Sequence, residues 1–128
     1  LSEGPEFAGL GDRVKDLREK TSLVESARIL AGADLFVGND SALLHLALAV
    51  GVKNVVGIAF GQHFGRFVPY PETSGRRCFV IFPPRIMHRM SDIPALQVEY
   101  ADGRFEDIRE ILPEVVLEKV QLCLQPPN

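Results

Sequence analysis

At 128 residues the chain is the size of one domain, and with 46% apolar residues it can bury a core of its own. A formal net charge of −3 leaves no chain-wide basic field for nucleic acid or anionic lipid, so an anionic ligand has to be met by local groups. No apolar run approaches the roughly 18 residues of a membrane span, nothing reads as a signal peptide, and Cys78 and Cys123 share no metal spacing with the histidines and read as a reduced pair.

Leu1 rather than Met opens the sequence, and residues 1–11 are punctuated by Gly and Pro without a period; the expectation is a fragment or processed chain that lacks an N-terminal portion. Residues 14–17 are expected as a short edge strand. From Ser22 the pattern turns helical. Ser22 with Glu25 three residues on is a capping box, and Leu23, Ala27, Leu30 and Ala31 recur on one face up to Gly32, which is placed to cap the end. Residues 35–37 form a buried strand, residues 41–50 an almost wholly apolar helix ended by Gly51, and residues 54–59 a second buried strand, the spacing of a βαβ unit. Residues 60–75 make a long loop whose aromatic content argues against disorder. Residues 78–82 are a third strand stopped by Pro83 and Pro84, and Arg85, His88 and Arg89 follow in a solvated loop. Residues 96–100 are expected as a strand that turns at Asp102 and Gly103 into a hairpin. Pro113 then opens a helix that carries Val116, Val120 and Cys123 to about Leu124. The alternation predicts an α/β, Rossmann-like three-layer domain on a parallel sheet.

Two places carry chemistry. Asp40 and Ser41 sit where a strand ends and a helix begins, at unpaired backbone N–H groups and the positive end of a helix dipole, in the region where open α/β sheets bind ligands. Asp and Ser are also the preferred helix caps, so capping and anion binding both stand. His45 lies one turn after Ser41 and reads either as a satisfied core residue or as a group facing the same crevice. The second place is the loop after the second strand. His63 can donate to phosphate or sugar hydroxyls, Gly65 allows close backbone approach, and Arg66 is a planar phosphate donor. Phe64, Phe67 and Tyr70 can hold a base or sugar face. The alternative is a structural loop pinned by those aromatics, with Arg66 paired to Glu72.

Residues 16–61 resemble the nucleotide-sugar half of family 9 glycosyltransferases, the group that contains the ADP-heptose:lipopolysaccharide heptosyltransferases. The likeness runs through Asp16-Leu17-Arg18-Glu19-Lys20-Thr21-Ser22-Leu23, then Ala33-Asp34-Leu35-Phe36-Val37-Gly38-Asn39-Asp40-Ser41, then His45-Leu46-Ala47 and Ala49-Val50-Gly51-Val52. Residues 63–71 look like a loop variant within the family, and residues 111–116 resemble its closing helix. The resemblance implies a GT-B architecture, two Rossmann-like domains with the active site between them. Residues 1–128 are then the C-terminal, donor-binding domain, and the N-terminal acceptor domain with the catalytic base is absent, so no catalytic residue is expected here. The family's donor contacts map onto Asp40, Ser41, Ala42 and His45, and its ribose-holding acid onto Glu3 or Glu6. Ala42 and Glu19 each stand where the family pattern has Gly.

The implied activity moves a sugar, heptose in the named group, from a nucleotide diphosphate sugar to a glycan or lipopolysaccharide acceptor. No cofactor, metal or nucleic-acid partner is expected, and the expected compartment is the cytoplasm, peripheral to the inner membrane. The competing expectation is a non-catalytic nucleotide-binding or interaction module of the same fold.

Overall fold

The three apolar runs pair in parallel. A computed structural model describes residues 11–66, 68–70 and 75–126. In it β1 (Phe36–Asn39), β2 (Asn54–Ile58) and β3 (Arg77–Ile81) lie in the order β1-β2-β3, with Phe36 opposite Val55 and Asn54 opposite Arg77. Five α-helices occur among the described residues: α1 (Leu23–Ala31), α2 (Ala42–Ala49), α3 (Pro84–Met87), α4 (Ile93–Glu99) and α5 (Pro113–Leu124). The α/β class and the parallel sheet expected from the sequence are what the chain adopts.

The central strand decides the layering, because its side chains alternate between two covered faces. Val55 and Ala59 bury against Leu44, Ala47 and Leu48 of α2, joined by Phe82, Ile86, Leu96 and Tyr100. Val56, with Ile81 beside it, packs on the opposite face against Val116, Val120 and Cys123 of α5. Gly57 shares the first face, where a Cβ would lie 3.2 Å from Leu44 Cδ2. The missing side chain is what lets α2 settle this close to the sheet. Cys78 and Cys123 are both free thiols.

Local chemistry sets the ends. The capping box of α1 forms as expected: Glu25 N donates to Ser22 Oγ at 3.2 Å and Ser22 N to Glu25 Oε1 at 3.3 Å. Gly32 is the C-cap, its N–H reaching the Ile29 carbonyl at 3.1 Å. Gly51 follows α2 with φ +90°, a turn that glycine adopts without strain. At the far end of α5 the Arg77 guanidinium donates to the carbonyls of Leu122, Gln125 and Cys123 at 2.7, 2.9 and 3.2 Å, and to Asn54 Oδ1 at 2.9 Å. One cation thus answers the last carbonyls of α5 and joins β2, β3 and α5.

Three local expectations are corrected. Residues 96–100 are not a strand and Asp102-Gly103 is not a hairpin turn. Asp92 accepts from Ala95 N at 3.3 Å and Pro94 sits in the first turn, so the segment enters α4. Leu96 and Tyr100, four residues apart, then share the buried face, while Val98 is left 81% exposed. Residues 14–17 pair with no strand; a single 3₁₀ turn, Gly11–Arg13, precedes them, and Asp16 is taken up locally by Arg18 at 2.8 Å. The stretch after Pro83 is not wholly loop, because Pro84 opens α3 and Ile86 buries in the core.

Leu44 is fully buried over Gly57. Leu44→Ala should cost about 2–5 kcal/mol, measured by urea unfolding, since the helix cannot close the gap onto an already small residue. Arg77→Met should cost roughly 1.5–3 kcal/mol in the same assay, with Arg77→Lys restoring only part, because one ammonium cannot serve three carbonyls and an amide oxygen together.

Candidate functional site

Parallel strands end on the same edge, and two of them deliver the site. Asp40 N donates to the Ile58 carbonyl at 2.8 Å, so the β1–β2 ladder continues one residue past β1 and fixes Asp40 at that edge. Ala59 N does the same toward the Ile81 carbonyl at 2.9 Å, fixing the start of the next loop. From Asp40 the chain passes through Ser41, extended at φ −150° and ψ 175°, into α2. The Ser41 carbonyl accepts from Leu44 N at 3.1 Å, but its hydroxyl makes no capping bond. Of the two readings of Ser41, capping is therefore not realised. The hydroxyl lies at the helix start, beside first-turn N–H groups that have no partner along the helix.

Asp40, Ser41, Ala42, His45 and His63 meet around one cavity of about 690 Å³, with Phe60, Gln62 and Tyr70 completing its lining. Gly65 and Arg66 stand outside that lining. Gly65, at φ +85°, backs onto α4, where a Cβ would fall 2.5 Å from the Gln97 side chain. Arg66 is exposed in the following turn, its N–H donating to the His63 carbonyl at 3.0 Å. Phe64 is corrected from ligand platform to core: it is 3% exposed and packs on Phe82 with ring centroids 5.0 Å apart. The tight turn from Gly61 to Phe64 swings that ring inward. Glu3, Glu6, Phe67 and Glu72 lie outside the described residues.

The histidines are held in defined ways. His45 Nδ1 meets the Tyr70 hydroxyl, the rings 5.6 Å apart, and His45 Nε2 lies 3.4 Å from Asp40 Oδ1. One proton assignment serves both contacts: Tyr70 O–H donates to Nδ1, and Nε2–H faces the carboxylate. Burial above all, then the neighbouring Cys78 and Asp40, push the Tyr70 hydroxyl above its ordinary value of 10.0, so it stays a neutral donor at physiological pH. His63 occupies the left-handed region at φ +52°, and its Nδ1 is 3.2 Å from the Ala101 carbonyl. A carbonyl only accepts, so His63 carries its proton on Nδ1, and the neutral ring keeps Nε2 as an acceptor. Tyr70's role was missed in the sequence, where it read as an aromatic face rather than as a hydroxyl aimed at His45. Phe60 and Gln62 were missed altogether; adjacency to Gly61 and His63 was the available signal. Among the described residues no three His, Cys, Asp or Glu side chains gather as a metal centre would need, and no helix is long and apolar enough to cross a membrane.

No curated protein and no solved structure matches the chain significantly. The family model for glycosyltransferase family 9 (heptosyltransferase) matches residues 8–77. That span is more than half of the chain and holds β1, α2, β2 and every residue lining the cavity. By this match, the chain belongs to glycosyltransferase family 9.

Proposed function

We propose that the chain is the donor-binding domain of a GT-B glycosyltransferase and holds a nucleotide diphosphate sugar with its diphosphate against the start of α2. The carrying observation is Ser41, which lines the cavity at the start of α2 and whose hydroxyl makes no capping bond. Transfer breaks the bond from the anomeric carbon to the diphosphate, and negative charge grows on the leaving phosphate. N–H donors already aimed at that position offset the charge without reorganising. Asp40 is anionic and does not meet phosphate. With its orientation set by His45, it accepts from hydroxyls of the sugar or ribose. His63 Nε2 is a further hydroxyl acceptor.

Gly65 and Arg66 belong to this reading as part of the turn that carries His63. The base that deprotonates the acceptor hydroxyl is assigned to a second, acceptor-binding domain. Heptose as the sugar rests on the family's description, and lipopolysaccharide as the acceptor on the motif likeness alone. The cytoplasm, peripheral to the inner membrane, is the compartment that goes with this reading.

Calorimetry with ADP, UDP and GDP should find weak binding of at least one by this chain, and no sugar transfer when the matching nucleotide sugar and an acceptor are supplied. Turnover by this polypeptide alone would sink the assignment of the base to another domain. Ser41→Ala should weaken nucleotide binding by roughly five- to tenfold at unchanged melting temperature, because no cap is lost with it. A fall in stability without a fall in affinity would make Ser41 a helix-start residue only. Tyr70→Phe removes the donor to His45 Nδ1. Nitrogen NMR should then show the ring leaving its single tautomer, with affinity falling roughly three- to tenfold. An unchanged tautomer would mean that Asp40 alone orients the ring.

A further inference from the structure

Phe60 lines the cavity at Ser41 and also borders a neighbouring one. The same ring lines a second cavity of about 480 Å³, walled on its other side by Phe105, Glu106, Asp107, Ile108 and Arg109. Phe60 and Phe105 pack edge to face, with centroids 5.2 Å apart and planes at 79°. Glu106 N donates to the Phe60 carbonyl at 2.8 Å, so the segment after α4 is fastened to the loop after β2. Phe105 is nevertheless 58% exposed. A large aromatic ring held in place by a partner and still open to solvent on one side is a surface kept for contact rather than for the core.

The rim of this trough is polar. Asp107 takes the Arg109 guanidinium on both carboxylate oxygens, at 2.8 to 3.1 Å, while also accepting Arg109 N at 2.9 Å. Those bonds hold the Asp107 carboxyl below its usual range, so it is ionised at neutral pH. Behind it, Glu106 Oε1 accepts from the Tyr100 hydroxyl at 2.6 Å. Burial first, then this bond and the Glu106 charge, push Tyr100 up to about 12, so the hydroxyl stays a donor and the Glu106 carboxylate stays in place. An apolar face with a carboxylate and a guanidinium in the same lining suits one ligand chemistry. A pyranose ring lays its C–H side on the open face of an aromatic ring, donates hydroxyls to the carboxylate and accepts from the guanidinium.

We propose that Phe60, Phe105, Asp107 and Arg109 form a carbohydrate subsite continuous with the cavity at Ser41. The continuity rests on the donor-binding reading above, and the sugar comes either from the donor or from the acceptor. Phe60 serves both cavities, so a ligand anchored by its diphosphate at the α2 start extends past this ring into the trough.

The test uses the full chain with ADP, ADP-glucose, GDP, GDP-mannose and free methyl α-mannoside, read by calorimetry and by amide NMR. Phe105→Ala should fold normally, its ring being mostly exposed, and Phe105→Tyr should behave as the parent. If the donor sugar occupies the trough, Phe105→Ala and Asp107→Asn lower affinity for a nucleotide sugar by roughly three- to tenfold while affinity for the matching nucleoside diphosphate stays fixed. If the acceptor sugar occupies it, both nucleotide affinities stay fixed, and methyl α-mannoside shifts the amides of Phe105 and Arg109 in the parent but not in Phe105→Ala. Equal weakening of diphosphate and nucleotide sugar would make Phe105 a nucleobase platform and overturn the subsite, as would the absence of any sugar-dependent effect. Failure of the parent to bind ADP or GDP at all strikes the diphosphate reading instead, and the free-sugar arm still decides the trough.

Discussion

Everything at the Asp40 edge of the sheet depends on how closely α2 lies on β2. Leu44 is fully buried on that strand and Gly57 offers it no side chain to climb over. Close packing is unforgiving at the scale of a methyl group, so this pair fixes the height of the helix above the sheet. The height in turn fixes where the helix begins. One extra rung, from Asp40 N to the Ile58 carbonyl, ties the preceding strand to the same frame. Ser41 and the open N–H groups are therefore positioned by a packing contact and a backbone ladder, not by the loop that faces them.

The loop after β2 is fitted to that frame rather than building it. Phe64 anchors it in the core, and Tyr70 returns to His45 from 25 residues away. With one ring nitrogen toward Tyr70 and the other toward Asp40, His45 links the loop after β2 to the end of β1. Ala42 sits at the first helical position, where the family pattern has Gly. Ala42 lines the cavity at the start of α2, so the change touches the cavity and leaves the α2–β2 contact alone.

The legible parts of the sequence were those in which one short window held all the physics. The capping box at Ser22, the continuous apolar run of β2, Pro113 at the head of α5 and the strand-to-helix junction at Asp40 are of this kind. Residues 96–100 misled because Val98 and Tyr100 have strand-like propensity, and the decisive signal was the four-residue spacing of Leu96 and Tyr100 behind the Asp92 cap. Ser41 looked like a cap by composition, and only the side-chain geometry separates it from Ser22. The His45–Tyr70 contact and the Phe60–Phe105 pair join segments with no shared period, so no local pattern carried them.

The sheet has two unlike ends. At one, a single guanidinium gathers carbonyls from the last turn of α5 and an amide from β2 into a staple. At the other, the strands open into turns whose hold is a few backbone bonds and ring contacts. Opening free energies follow such differences, so the molecule is stiff at one pole and compliant at the other. Amide exchange is therefore expected to be slower at the stapled pole than in the turns at the opposite one. Those turns can then shift without loosening the core that carries them.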